Sequence, residues 1–268
     1  MPAQKSLPLV VTGLSAGYGG AAILRDISFA VQPGEIRAIL GGSGAGKSTL
    51  LKHIIGLAAP TAGTVALLGC DLVTAKAPQR TATLRRVGML FQSGALLNAM
   101  TVLQNVALPL QQATDLPADL IDDIARMKLA LVGLEDAADK APPELSGGMK
   151  KRAALARAMV LDPELLFCDE PSAGLDPITA AALDNLILTL RDQFGMAVVV
   201  VTHELASIHA IADKILMLDG GGVVADDDSA TVVRMQTPVI RGFFDRQAKD
   251  TIKRRPSMLE VLGTGGTL

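Results

Sequence analysis

Apolar positions change period several times along the chain, and the changes sketch its architecture. Short unbroken apolar runs alternate with longer helical patterns, the mark of a parallel sheet covered by helices. Glu35-Ile-Arg-Ala-Ile-Leu40 predicts a strand, and Lys47 to Ile55 predicts a helix stopped by Gly56. Leu165-Leu-Phe-Cys-Asp169 reads as a second buried strand, and Ile178 to Phe194 as a helix stopped by Gly195. Val198 to Thr202 is a third strand. A hairpin closes the region, with Ile215-Leu-Met-Leu218 and Val223-Val224 flanking Gly220-Gly221-Gly222. From Ser93 to Leu161 the pattern is mostly helical with no clear strand. There Thr101-Val-Leu-Gln104 fits a capping box, in which each end residue satisfies a backbone donor of the first helical turn.

Composition narrows the picture. The chain has 268 residues, 49% of them hydrophobic, enough to bury a full core and to exclude wholesale disorder. Its 25 Lys and Arg face 27 Asp and Glu, a net charge of −2, which argues against a domain that wraps nucleic-acid backbone. Aromatic residues make up 3%, with no Trp and a single Tyr, and offer little for stacking on single strands. Mean hydropathy is high at +0.37. Even so, the longest strongly apolar run, Met196 to Val201, falls far short of the ~20 residues needed to cross a bilayer. The first residues hold one Lys in a short polar start and show no secretory signal. Cys70 and Cys168 are too few for a disulfide scaffold or a four-cysteine metal site, and Cys168 reads as a small core residue. The expectation is a cytosolic chain without a membrane span.

Gly41-Gly42-Ser43-Gly44-Ala45-Gly46-Lys47-Ser48, followed by Thr49, matches G-x-x-x-x-G-K-[ST] between a predicted strand and a predicted helix. Glycines let such a loop curl until several N–H groups face phosphate oxygens, and the positive helix end adds to the attraction. Lys47 can then reach the β and γ phosphates, and Ser48 can ligate Mg²⁺. Asp169 and Glu170 end an apolar strand, where ligands of open parallel sheets gather. Asp169 is expected to hold Mg²⁺ through water, and Glu170 to orient and deprotonate the attacking water.

Leu145-Ser146-Gly147-Gly148-Met149, between these two motifs, together with the phosphate loop resembles the signature of the ABC-type ATPases. In order and separation the motifs are similar to that family: 45 residues from Lys47 to Gln92, 54 to Ser146, 23 to Asp169, and 33 from Glu170 to His203. The resemblance runs nearly to residue 235. It implies an α/β fold, a P-loop ABC-type core with a small antiparallel β part and an inserted helical subdomain. The core would comprise 1–92 and 161–235, with the subdomain at 93–160 and an extension at 236–268. It implies ATP and Mg²⁺ as cofactors. Tyr18 is expected to stack on adenine, Gln92 to sense Mg²⁺ and link the site to the helical subdomain, and His203 to contact the γ-phosphate. Ser146, Gly147 and Gly148 would complete the ATP site of a second copy, and Asp176 would communicate across that pair. Ser146 taken alone also reads as an ordinary N-cap, and His203 as a core histidine.

A narrower resemblance rests on Ser146-Gly-Gly-Met-Lys-Lys-Arg152, Phe91-Gln-Ser-Gly-Ala-Leu-Leu97 and Thr202-His-Glu-Leu-Ala-Ser-Ile208. These segments are similar to the ATPase subunits of MCE-type (mammalian-cell-entry) transporters, which move phospholipid or other apolar cargo across the bacterial envelope. The family departs from Met149, having Gln there in most members. The resemblance implies a homodimer on an integral-membrane permease, with an MCE-domain substrate-binding protein and a small accessory subunit, peripheral on the cytoplasmic side of the inner membrane, and no nucleic acid. A transporter for another cargo, such as lipoprotein release or amino-acid import, competes with this reading. A soluble ABC protein and an unrelated P-loop kinase or GTPase fit less well. Ser93 to Met100 would receive a helix of the permease, or else Leu96, Leu97 and Met100 belong to the helical core.

Past residue 235, Val239, Ile240, Phe243, Phe244 and Ala248 recur at helical spacing opposite Arg241, Asp245, Arg246 and Lys249. This amphipathic helix has three destinations: the chain's own core, a partner ATPase or an anionic membrane. The end, Gly263-Thr-Gly-Gly-Thr-Leu268, is expected to fray.

Overall fold

The computed structural model describes residues 6–18 and 21–252, the side chains of 18, 21 and 246–252 excepted. Two sheets organise it. One has six strands: β3 (Ile36–Gly41), β6 (Val87–Leu90), β7 (Leu165–Asp169), β8 (Ala197–Val201), β9 (Lys214–Asp219) and β10 (Gly222–Asp228). Their order is β10-β9-β3-β8-β7-β6, and every pair is parallel except the β9–β10 hairpin. The other sheet is antiparallel, in the order β2-β1-β4-β5, from β1 (Leu9–Tyr18), β2 (Ala21–Val31), β4 (Ala62–Leu67) and β5 (Cys70–Asp71).

The parallel strands read as continuous apolar runs because both their faces are covered. Leu165, Phe167, Val199 and Val201 face the antiparallel sheet across helix α1 (Lys47–Ile54), whose Leu50, Leu51 and Ile54 fill the space between. Leu166, Cys168, Val198 and Val200 point the other way, into α5 (Gly147–Ala158) and α6 (Pro177–Phe194). Burial pushes the Cys168 thiol up to about 12, so it stays a protonated, inert core residue.

Three helices form a second packed unit with its own core: α3 (Val102–Ala113), α4 (Ala118–Leu131) and α5. Thr101 caps α3 as its sequence predicts, its Oγ1 accepting from Gln104 N at 3.2 Å while Gln104 Oε1 accepts from Thr101 N at 2.9 Å. A short helix, α2 (Ala77–Leu84), precedes β6.

The hairpin differs from its sequence reading. Only Gly220 and Gly221 turn, both at positive φ, and Gly222 already pairs with Asp219. The second strand runs on to Asp228 because Asp226 pairs with the buried Arg37 of β3, which Glu35 also binds at 2.6 Å. Beyond it, α7 (Leu205–Ile211), α8 (Ser229–Arg234) and α9 (Pro238–Ile252) pack on β9 and β10. Ile240 is fully buried there, and Phe243 and Phe244 are partly buried against the same cluster. Of the three destinations, the chain's own core takes Ile240 and part of Phe243 and Phe244, while Val239 is exposed. Ala248, Arg246 and Lys249 have side chains outside the described set, and the tail 263–268 lies outside it altogether.

Candidate active site

Five of the predicted site residues sit where strands of the parallel sheet hand over to loops. Gly41 ends β3, Gln92 lies two residues past β6, Asp169 ends β7, Glu170 follows it, and His203 lies two residues past β8. Residues 42–46 curl between β3 and α1, and Lys47, Ser48 and Thr49 form the first turn of α1. Gly46, the N-cap of α1, has φ +99°, and a Cβ there would lie 2.6 Å from Leu24 Cδ2. Only glycine fits both constraints.

Gly41, Gly42, Ser43, Lys47, Glu170 and His203 line one cavity of about 790 Å³. Lys47 Nζ donates to the carbonyls of Gly41 and Gly42 at 2.7 and 3.0 Å, which aims the ammonium across its own loop. Burial lowers its pKa, against the opposing pull of Glu170 and Asp169. Glu170 Oε1 shares a 2.8 Å hydrogen bond with His203 Nδ1, while Oε2 is buried with no hydrogen-bond partner among the described residues. Glu170 itself holds φ +47°, uncommon for a residue with a side chain and a strain that clusters at functional sites. Burial, then the adjacent Glu170 charge, holds the Asp169 carboxyl above the usual carboxylate range, partly offset by Lys151, Lys47 and Lys52. An orphaned carboxylate oxygen beside a second, partly buried carboxyl suits a divalent cation. Among the described residues no cluster of three or more His, Cys, Asp or Glu has metal-site geometry. Mg²⁺ fits such a sparse carboxylate set, because it is held through one or two carboxylates and completes its shell with water and phosphate.

Gln92 and Asp169 line a second recess of about 590 Å³ with Phe91, Ser93, Ala173 and Gly174. Ser146, Gly147 and Gly148 line neither cavity. Ser146 is the N-cap of α5, its Oγ accepting from Met149 N at 3.2 Å, and the segment from Ser146 to Gly147 is exposed. Asp176 caps α6 close by, accepting from Ile178 N and Thr179 N at 3.1 and 3.0 Å; the Thr179 side chain, then these backbone donors, lower its pKa. A Cβ on Gly148 would come within 2.5 Å of Thr179 Cγ2, so a glycine lets the two helix starts meet. Tyr18 ends β1, paired with Ala21, and its side chain lies outside the described set.

Several supporting residues escape sequence reasoning. Lys151, 6% exposed, donates from Nζ to the carbonyls of Gln92 and Glu170 at 2.5 and 3.0 Å. Arg157 donates to the carbonyls of Ala95 and Gly94, and the buried Asn105 donates to those of Leu97, Met100 and Thr101. These groups hold the loop after Gln92. Behind the site, Ser207 donates to Asp184 at 2.6 Å and lies 3.3 Å from Ser172, tying the loop after Glu170 to α7. Pro238, Val239, Gly242 and Phe243 of α9 form a further wall of the phosphate cavity. The contacts of Lys151, Arg157, Ser207 and α9 join segments distant in sequence, and only Asn105, an amide inside an apolar helical stripe with nearby partners, carries a local signal.

A phosphate loop, strand-end carboxylates and a polar strand-end histidine on one parallel sheet define the class, an ATP-binding cassette ATPase. The model of the ABC transporter family matches residues 24–173, and the chain belongs to that family. It is 44% identical over 228 residues to the intermembrane phospholipid transport system ATP-binding protein MlaF of Escherichia coli K12, covering 85% of this chain and 84% of that one. Against the probable ribonucleotide transport ATP-binding protein mkl of Mycobacterium tuberculosis H37Rv the identity is 38%, covering 88% of this chain and 66% of that protein's own length. Among solved structures, the dimeric post-hydrolysis cassette MJ0796 bound to ADP and Pi superposes with TM-score 0.75 at 29% identity, covering 82% of this chain and 98% of that one. CbiO1 from Clostridium perfringens, part of an ABC transporter complex, gives TM-score 0.78 at 26% identity, covering 97% and 99%.

Proposed function

We propose that two copies of this chain work on a membrane permease and hydrolyse ATP to move phospholipid or similar apolar cargo across the bacterial envelope. The convergence of Lys47, Glu170 and His203 on one cavity carries the hydrolytic half of this reading. In it, backbone N–H groups of residues 41–46 and the start of α1 receive phosphate, and Lys47 reaches the β and γ phosphates. Glu170 accepts the proton of the attacking water, and His203 steadies that carboxylate through their hydrogen bond and contacts the γ-phosphate. Ser48, Gln92 and Asp169 would hold Mg²⁺, which when bound neutralises charge on the phosphates. Tyr18 is assigned to the adenine ring.

The outward-facing signature supports pairing. Ser146, Gly147 and Gly148 open helix α5 outside the phosphate cavity, with Ser146 and Gly147 exposed, so an anion could reach this helix start from outside. A second copy would supply the phosphate, with Asp176 at the seam, and the dimeric state of MJ0796 accords with this. Residues 1–92 and 161–235 then act as the catalytic core, and residues 93–160 act as the permease-facing helical part. Leu97 and Phe91, exposed beside Gln92, suit an apolar permease helix, while Leu96 packs into the helical core. Among the described residues no helix is long and apolar enough to cross a membrane, and we place the chain peripherally on the inner membrane's cytoplasmic face. An MCE-domain protein and a small accessory subunit complete the proposed complex.

The cargo rests on MlaF, which is more similar and more fully covered than the mycobacterial relative named for ribonucleotide transport. The test is to reconstitute the chain with its permease in vesicles and follow a fluorescent phospholipid during ATP hydrolysis. ATP-dependent lipid transfer is expected. Vigorous hydrolysis with no lipid movement would assign the cassette to a different cargo.

A further inference from the structure

We propose that Lys151 is a positioning residue that locks the Gln92 loop and the Glu170 backbone to the signature helix, making each hydrolytic site depend on where that helix sits. The inference rests on the ATPase reading above and extends it to a residue outside the phosphate cavity. Lys151 is a buried cation whose ammonium donates to two backbone carbonyls, those of Gln92 and Glu170, 59 and 19 residues away in sequence. Burying an ammonium is costly, and burial does lower its pKa, although the nearby Asp169 and Glu170 charges favour the protonated form. Surface lysine would carry no such cost.

The two carbonyls are not arbitrary. Glu170 needs a fixed backbone because its φ of +47° is one that a residue with a Cβ rarely keeps unaided. Its N–H is held by the Val201 carbonyl at 2.8 Å, from the sheet, and its carboxylate by His203. Its own carbonyl receives Lys151 Nζ at 3.0 Å and the Ala173 N–H at 3.3 Å. Lys151 is therefore the grip on Glu170 that comes from the helical unit rather than from the sheet or its loops. The same ammonium holds the carbonyl of Gln92, where the chain leaves β6 for that unit.

Helix α5 gives the grip its consequence. Ser146 caps the helix five residues before Lys151, about 7.5 Å along its axis. One end of α5 thus faces outward to the partner's nucleotide, in the reading above, while the next turn holds the backbone carbonyl of the subunit's own Glu170. A shift of α5 relative to the sheet must stretch or release both of these hydrogen bonds.

The test uses the full-length chain and MgATP, with Lys151→Met keeping the length of the stem and Lys151→Arg keeping charge and donors. Lys151→Met is expected to lower kcat by about tenfold or more, the effect of losing charge-assisted hydrogen bonds. KM for ATP should stay within about twofold, since nucleotide contacts are untouched, and the melting temperature close to wild type, since removing a buried ammonium offsets the two lost hydrogen bonds. Lys151→Arg should recover most of the rate. In mixed pairs with one Glu170→Gln subunit, Lys151→Met should be damaging on the chain with intact Glu170 and mild on the other. The proposal is overturned by an unchanged kcat, or by parallel losses of melting temperature and rate in both variants. Equal damage in the two mixed arrangements would also overturn it. A wild-type protein that does not hydrolyse ATP would instead overturn the ATPase reading beneath it.

Discussion

Around Glu170 the molecule holds its polar groups from within, whereas around Ser146 it turns them outward. The Glu170 side chain is 13% exposed, its backbone bonded to β8 and α5 and its carboxylate to His203. Ser146 and Gly147 are exposed, and among the described residues the Ser146 hydroxyl serves to cap α5. Both regions are built from a strand or loop feeding a helix start, so the difference lies in what remains unsatisfied. The first region needs only a small ligand to fill its cavity. The second presents an exposed helix start, which in the proposed pair would meet the partner's phosphate. On the proposed reading, a cassette built this way binds nucleotide alone and finishes its site only in a pair.

The sharpest way to break this comparison is at Glu170. Glu170→Gln keeps the shape but cannot take a proton, so hydrolysis should fall by about a hundredfold or more, the range for a positioned general base. Nucleotide should stay bound, and the protein should accumulate as an ATP-loaded pair on size exclusion. Near-normal turnover in this variant would move the base elsewhere. Next in size is Lys47→Met, which removes the one cation lining the phosphate cavity among the described residues. Affinity for ATP, measured by fluorescence titration of the isolated chain, should weaken about tenfold or more. Unchanged affinity would leave the phosphate loop without its reach.

The outward region calls for a different substitution. Ser146→Ala would lose the cap as well as any phosphate contact and so confuse two effects. Ser146→Asp keeps a strong N-cap but places a negative charge where the partner's phosphate is expected. Melting temperature should hold, nucleotide binding to the single chain should hold, and ATP-driven pairing should weaken by about tenfold. If pairing survives, the signature does not face a phosphate.

How much of this could be read from the chain follows from what each element buries. β7 and β8 were legible because both their faces are covered, which leaves unbroken runs such as Val198 to Val201. β1, β2 and β4 of the antiparallel sheet were not, since exposed and buried residues mix along them and register shifts interrupt the β1–β2 pairing. β10 runs past the predicted Val223-Val224 into three aspartates, and it is strand there because Asp226 pairs with Arg37 across the sheet. At the site, the phosphate loop and the carboxylates carry their own local chemistry. Lys151 and the α9 wall do not, for their meaning lies in contacts with residues 19 to nearly 200 positions away.

The smallest expected effect separates the two sides of the loop after Gln92. Its underside is held by Asn105, fully buried, which donates to three carbonyls and whose Oδ1 accepts from Leu97 N at 2.7 Å. Its top is Leu97, 46% exposed. Asn105→Ala leaves buried carbonyls without donors and should cost about 1–3 kcal/mol in chemical denaturation, with a matching loss of hydrolysis as Gln92 loosens. Leu97→Ser removes an exposed apolar group and should move stability by no more than about 0.5 kcal/mol. Hydrolysis by the isolated chain should also stay as it was, because Leu97 touches neither cavity. In the reconstituted complex the order should reverse, with Leu97→Ser losing permease-stimulated hydrolysis because the apolar seat for the membrane subunit is gone. A Leu97→Ser protein that the permease still stimulates normally would return this loop to the helical core and move the docking surface elsewhere.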